Sequence, residues 1–127
     1  MTRRKIMLFA LIGVFLWFVA AIWLRDWAPA FYDLGAGHLT AFALATFTAP
    51  LFVWGMAKAT ATPLDAMVAP TGIAIVAATL LDGIALTWFP AFYAGQGPHL
   101  AYTGAQLLWG VGCAMLSALI FARRRLT

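Results

Sequence analysis

The chain contains no glutamate, four aspartates, two histidines and one cysteine, and only 9% of its residues are charged. The single cysteine, Cys113, allows no disulfide within the chain. There is also no phosphate-binding glycine loop and no well-placed set of serine, histidine and acid. Catalysis is therefore not expected. An ordinary soluble domain is excluded as well, because about 25% of the residues in such domains are charged.

Apolar residues make up 65% of the 127 positions, which is more than a soluble globule of this length can bury. A helix that crosses a hydrocarbon core needs about 20 mostly apolar residues. Four stretches meet this requirement, at about 6–24, 35–57, 66–89 and 100–122. The sequence therefore predicts an all-α, integral membrane four-helix bundle with up-down-up-down topology and a single transmembrane domain.

The basic residues predict the orientation of these spans. Seven of the eight fall where a protein with both termini inside would carry them, namely Arg3, Arg4, Lys5, Lys58, Arg123, Arg124 and Arg125. Only Arg25 falls on the opposite side. Positive residues accumulate in cytoplasmic loops, so we expect both termini in the cytoplasm of a bacterial inner membrane. The same flanks explain the net charge of +4 without nucleic-acid binding.

Asp82 is the one acid well inside a predicted span, roughly two helical turns from its boundary at Trp88. An ionised carboxyl there is costly, so it should face protein, find a partner or keep its proton. Arg25, at the end of the first span on the same side, is the expected partner. Asp82 is then either a proton or cation site or a structural pair that fixes helix packing.

A polar stripe follows one face of the fourth span at steps of three and four residues. Its members are His99, Tyr102, Gln106, Gly110, Cys113 and Ser117. We expect this face to point inward, with Gln106 hydrogen-bonded across helices and Gly110 allowing close approach. Together with Asp82 and Arg25, Tyr102 and Gln106 form a predicted intramembrane polar site. Two further small-residue seams are expected, one at Thr79, Gly83 and Thr87 and one at Ala41, Ala45 and Ala49.

The two histidines open corresponding helices on the outer side, His38 the second and His99 the fourth. They could ligate a metal ion or the metal of a tetrapyrrole. Zinc sites normally use three or four protein ligands, however, and neither histidine has another ligand at a motif spacing. Hydrogen bonding at the membrane interface is the alternative role.

The two outer loops are rich in aromatic residues, including Trp27, Tyr32, Trp88 and Tyr93. Such rings commonly lie at the level of the lipid headgroups. The alternative is an outward-facing aromatic pocket for a lipid, quinone or pigment, because Pro29 and Pro90 interrupt the helices there.

Three short segments resemble the second half of an uncharacterised family of small bacterial inner-membrane proteins. They are Leu81-Asp82-Gly83, Phe89-Pro90 with Tyr93, and Leu107-Leu108-Trp109-Gly110. Arg25 after a tryptophan-containing first helix is similar as well. The family, a domain of unknown function, has four predicted helices. The resemblance implies the four-span fold, marks Asp82 and Pro90, and implies no activity.

Three functions are compatible with the sequence. We favour an accessory or scaffold subunit in a larger energy-converting or photosynthetic membrane complex. The alternatives are an oligomeric, proton-coupled small transporter or channel that uses Asp82, and a binder of lipid, quinone or tetrapyrrole at the outer aromatic rim. The expected partners are membrane lipids and other membrane-protein subunits or further copies of the chain, and no cofactor is required.

Overall fold

The computed structural model describes residues 1–33, 35–93 and 97–123, and these residues form helices and turns without a strand. The helices are α1 (Arg3–Asp26), α2 (Ala28–Tyr32), α3 (Gly37–Ala59), α4 (Val68–Trp88) and α5 (Pro98–Arg123). Two single 3₁₀ turns, Leu64–Ala66 and Pro90–Phe92, precede α4 and follow it. The fold is thus all-helical, as the composition predicted.

Four of these helices, α1, α3, α4 and α5, are long and apolar enough to cross a membrane, with 24, 23, 21 and 26 residues. Their ends lie within three residues of the expected spans. Local signals account for several boundaries. The Thr2 hydroxyl caps α1 by accepting from the backbone N–H of Lys5, and the Thr60 hydroxyl donates to the carbonyl of Met56 where α3 ends. Pro90 begins the turn that follows α4.

The long helices associate mainly in two pairs. α1 packs along α4, and α3 packs along α5, while α4 and α5 join the two pairs. The first pair comes very close at Gly13, where an added Cβ atom would overlap the backbone of Ala74 at its carbonyl oxygen. This backbone-to-backbone approach requires glycine.

The sequence predicted close packing between helices at other positions. It expected a close approach at Gly110 and a packing seam at Thr79, Gly83 and Thr87, but a Cβ atom at either glycine would meet nothing within 4 Å. Those two expectations are wrong, because Gly83 is on an exposed face of α4 and Gly110 faces a cavity. The alanine seam of α3 is confirmed at Ala41 and Ala49, which are both buried.

Large apolar side chains cover much of the outer surface. Phe15, Phe47, Leu80 and Leu108 are each exposed by 65% or more. Such extensive apolar exposure is unusual for a soluble monomer. Four long apolar helices with this surface are consistent with a multi-pass membrane protein.

Candidate functional site

An apolar cavity of about 510 Å³ lies between the four long helices, and each of them lines it. The wall is mostly aliphatic, and its polar side chains are one carboxyl, one amide and two threonines. Its residues include Leu16 and Trp23 of α1, Ala45 and Phe52 of α3, Ile75 and Ala78 of α4, and Leu107 and Val111 of α5. The volume falls in the range of small-molecule sites, about 300–1,000 Å³.

A hydrogen-bonded chain of three side chains, Trp17, Tyr93 and Asp82, joins α1 to α4 at this cavity. The indole Nε1 of Trp17 donates to the Tyr93 hydroxyl over 3.0 Å, and that hydroxyl donates to Oδ1 of Asp82 over 2.5 Å. Trp17 and Asp82 both line the cavity. The 3₁₀ turn after α4 supports the arrangement, because the ring of Phe92 stacks on Trp17 with centroids 5.5 Å apart. We call these residues the Trp17–Tyr93–Asp82 chain.

The expected pair of Arg25 and Asp82 is not formed, so that prediction is wrong. The guanidinium of Arg25 instead pairs with the adjacent Asp26, with Nε 2.8 Å from Oδ1. Both side chains are about half exposed, at 47% and 46%. Arg25 thus keeps its charge at the helix end, next to an acid and solvent, whereas Asp82 is 8% exposed and lies about two turns deeper.

A second polar contact reaches the cavity from α2. The Tyr32 hydroxyl donates to Oε1 of Gln106 over 2.6 Å, and Nε2 of Gln106 donates to the carbonyl of Ala41 over a longer 3.4 Å. Gln106 is buried and lines the cavity, so the inward position expected for it is confirmed. Tyr32 therefore ties α2 to α5, and Gln106 ties α5 to α3.

The expected aromatic rim is divided in two. Trp27 and Trp88 are 63% and 69% exposed, whereas Tyr32 and Tyr93 are only 7% and 1% exposed. Both tyrosines point into the helix bundle and donate to side chains of the cavity wall. These four residues therefore do not form a single outward-facing aromatic pocket. The two tyrosines belong to the inner site and the two tryptophans to the surface.

Burial changes the acidity of both tyrosines. Removal from solvent raises the pKa of the Tyr32 hydroxyl. For Tyr93, burial and the neighbouring Asp82 carboxyl raise the pKa well above its usual range. Both hydroxyls therefore remain protonated at neutral pH and act as hydrogen-bond donors to the groups described.

The histidines lie beside Tyr32 and Tyr102 in an aromatic cluster near the start of α3 and α5. His38 stacks on Tyr102 with centroids 5.7 Å apart, and Tyr102 lies 5.3 Å from Tyr32. His99 places Nε2 2.8 Å from Oδ1 of Asp33. Within residues 1–33, 35–93 and 97–123, no three potential metal ligands come together. The positions of His38 and His99 fit ring stacking and hydrogen bonding, which is the alternative role that the sequence left open.

The polar stripe of α5 is buried only in part. Gln106 and Ser117 are buried, but Tyr102 is 39% exposed, so the inward position expected for Tyr102 is wrong. Thr103, its neighbour, is fully buried instead. The buried face of α5 thus keeps Gln106 and Ser117 of the predicted stripe and has Thr103 in place of Tyr102, because steps of three and of four residues are both compatible with the sequence pattern.

Sequence reasoning missed Trp17 as a site residue. A signal was present, because tryptophans of membrane helices concentrate at the interfaces and Trp17 lies about two turns inside the first predicted span. An indole at that depth needs an acceptor for its N–H, and Tyr93 supplies it.

No family model matches this chain, and no curated protein or solved structure matches it. The resemblance of residues 81–83, 89–93 and 107–110 to an uncharacterised membrane family therefore stays an expectation.

Proposed function

We propose that this chain is a multi-pass protein of a bacterial inner membrane whose four long helices alternate in direction, with both termini in the cytoplasm. Contacts between α1 and α4 support the alternation. Gly13 lies at Ala74, and Trp17, later in α1, bonds to Tyr93 beyond the end of α4. These contacts fit two helices that run in the same direction, as the first and third spans of an alternating bundle do. The distribution of the basic residues supports the orientation.

Within that membrane, we propose that the protein binds an apolar or amphiphilic molecule dissolved in the bilayer. The observation that carries this proposal is the cavity of about 510 Å³, which is apolar along most of its wall and includes Asp82 and Gln106 among its lining residues. A hydrocarbon chain fits the apolar part of the wall, and a polar headgroup fits the carboxyl or the amide. This replaces the outer rim as the binding place, since the rim tyrosines face inward.

The route of entry follows from the helix pairing. α1 and α3 both line the cavity, yet they are not among the helix pairs that pack extensively against each other. We call the gap between them the α1–α3 seam. A ligand that diffuses in the bilayer would enter sideways through this seam, without passing through water.

The test uses bromododecanol, whose bromine quenches tryptophan fluorescence, and the protein purified in a neutral maltoside detergent. Trp17 and Trp23 line the cavity, so occupancy should give a saturable quenching component. Gly110→Leu should remove that component by filling the cavity, because Gly110 lines it and an added Cβ meets nothing within 4 Å. Gly83→Leu is the matched control, since Gly83 is exposed and outside the cavity wall.

Saturable quenching in the unmodified protein and in Gly83→Leu, lost in Gly110→Leu, supports binding in the cavity. Quenching that rises linearly with the bromododecanol concentration in all three proteins would show only that bromododecanol dissolves in the micelle. That result would overturn the proposal.

An accessory role in a larger membrane complex is a second proposal. It is favoured by bulky apolar side chains on the outer faces of α3 and α5, such as Leu39 and Leu51 at 64% and Leu116 at 57% exposure. Such faces suit contact with other membrane helices as well as with lipid. Purification in a gentle detergent tests it, because stoichiometric foreign subunits should remain bound, and a homogeneous monomer would contradict it.

A further inference from the structure

We infer that the ligand of the cavity carries a protonated amine on a hydrocarbon chain, and that Asp82 is its counter-ion. This inference rests on the proposed binding function and narrows it to one chemical class. It follows from the hydrogen-bond donors that contact Asp82 and from the charges near it.

The donors beside Asp82 are already engaged within the protein. The indole N–H of Trp17 donates to the Tyr93 hydroxyl, and the O–H of Tyr93 donates to Oδ1 of Asp82. An ionised carboxyl has about four acceptor positions on its two oxygens, so acceptor capacity remains at Asp82. A headgroup that donates hydrogen bonds is therefore suited to Asp82. A headgroup that only accepts them, such as a quinone carbonyl, finds no unused donor on Trp17 or Tyr93.

The charges near Asp82 also favour a cationic ligand. Asp82 takes part in no ion pair within the described ranges 1–33, 35–93 and 97–123, and the pairs there are Arg25 with Asp26 and His99 with Asp33. Lys58 lies over the ring of Trp54 at the other end of α3. A carboxylate without a cation is unfavourable in apolar surroundings, and an arriving ammonium removes that penalty.

The wall near the carboxyl also suits a cation. Trp17 and Trp23 both line the cavity, and indole rings attract ammonium groups through the negative faces of their π systems. The rest of the wall is aliphatic and suits the hydrocarbon chain. Carboxyl, indoles and aliphatic wall together match a long-chain amine in its charged form.

The experiment compares dodecylamine with dodecanol, two probes that share a chain and differ in headgroup. Each probe is titrated against bromododecanol bound to the protein in neutral detergent. The concentration at which it displaces bromododecanol gives the affinity of that probe. We expect dodecylamine, protonated at neutral pH, to bind about 30-fold or more tightly than dodecanol, as a buried charge pair would give. Asp82→Asn should reduce the affinity for dodecylamine to that for dodecanol, because the asparagine side chain keeps the shape but not the charge. The affinity for dodecanol should change by no more than about twofold.

Asp26→Asn is the matched control, because it removes a carboxyl that lies outside the cavity wall. It should change neither affinity. If Asp82→Asn does not fold, Asp82→Leu serves instead, because it also removes the charge and suits apolar surroundings. The preference for dodecylamine should be lost in that variant as well.

The outcomes separate the two proposals. If neither probe binds, the cavity proposal itself fails. If dodecanol binds and dodecylamine binds no more tightly, or Asp82→Asn leaves the preference unchanged, the cavity proposal stands and the ammonium inference is overturned. Displacement by lysophosphatidylethanolamine but not by lysophosphatidylcholine would assign the amine to a lipid headgroup, and failure of both lipids with tight dodecylamine binding would assign it to a free amine.

Discussion

The Tyr93 hydroxyl lies 2.5 Å from Oδ1 of Asp82, eleven residues earlier in the chain. The contact exists because α4 ends at Trp88 and the following 3₁₀ turn, Pro90–Phe92, returns the chain toward the cavity. Tyr93 is then 1% exposed and is held by Trp17 from the opposite side. One tyrosine thus connects α1, α4 and the end of the cavity.

Removal of this hydroxyl should weaken the fold. Tyr93→Phe loses the bond to Asp82 and leaves the Trp17 N–H without its acceptor, so we expect a loss of about 1–3 kcal/mol in the free energy of unfolding. Tyr32→Phe loses one bond, to Gln106, and should cost about 1 kcal/mol. Unfolding in mixed micelles measures both. Equal stability of Tyr93→Phe and the unmodified protein would contradict the Trp17–Tyr93–Asp82 chain.

The raised pKa of Tyr93 predicts a pH dependence above neutrality. A free tyrosine loses its proton near pH 10, whereas the folded protein holds the proton of Tyr93 to higher pH. The folded state therefore binds more protons than the unfolded state above about pH 10, and stability falls as the pH rises there. Tyrosinate absorbance should be complete at a lower pH in Tyr93→Phe than in the unmodified protein. Coincident titration curves, scaled to the number of tyrosines, would contradict this.

The close approach of α1 and α4 makes Gly13 sensitive to substitution. Gly13→Ala places a Cβ atom against the backbone of Ala74, which cannot move without shifting a helix, and overpacking of this kind costs about 1–3 kcal/mol. Gly55→Ala is the matched control, since a Cβ there meets nothing within 4 Å. It should leave stability unchanged or raise it by up to about 1 kcal/mol. Thermal unfolding in detergent gives the melting temperature of each variant. Equal melting temperatures of Gly13→Ala and Gly55→Ala would refute the close contact.

The hydroxyl of Thr71 is buried without a hydrogen-bond partner in the described part of the chain. Thr71→Val removes this unsatisfied group at nearly constant shape, so we expect a gain of about 1 kcal/mol in unfolding free energy. Thr87→Val is the comparison, because the Thr87 hydroxyl is exposed and already donates to the carbonyl of Gly83. A marked loss of stability in Thr71→Val would mean that its hydroxyl has a partner after all.

The positions of the long helices could be predicted from the sequence, because a run of apolar residues long enough to cross a bilayer fixes a helix within a few positions. Gln106 could be placed in the interior for a related reason, since a buried amide on an apolar helix must find partners. The helix pairing and the cavity were not accessible this way. They depend on which faces meet, and the apolar residues of these helices point in all directions.

The partner of Asp82 was missed for a physical reason that applies to other buried acids. Reasoning from charge alone selects Arg25, the one basic residue on that side of the bundle. An arginine at a helix end, however, gains more from a neighbouring carboxylate and water than from burial. Asp82 instead accepts from the neutral hydroxyl of Tyr93, to which Trp17 donates in turn. Tyr93 follows a turn and Trp17 lies in the middle of α1, and no charge pattern indicates either position.

The arrangement of the helix pairs has a mechanical consequence. α1 with α4 and α3 with α5 form two pairs that meet along α4 and α5, while α2 contacts both α1 and α3 where α1 ends and α3 begins. A small rotation of one pair against the other would separate α1 and α3 most at the end away from α2. For a cavity that binds a guest molecule, such widening would let the guest in or out while every helix keeps its own backbone hydrogen bonds, so exchange with the bilayer would require no local unfolding.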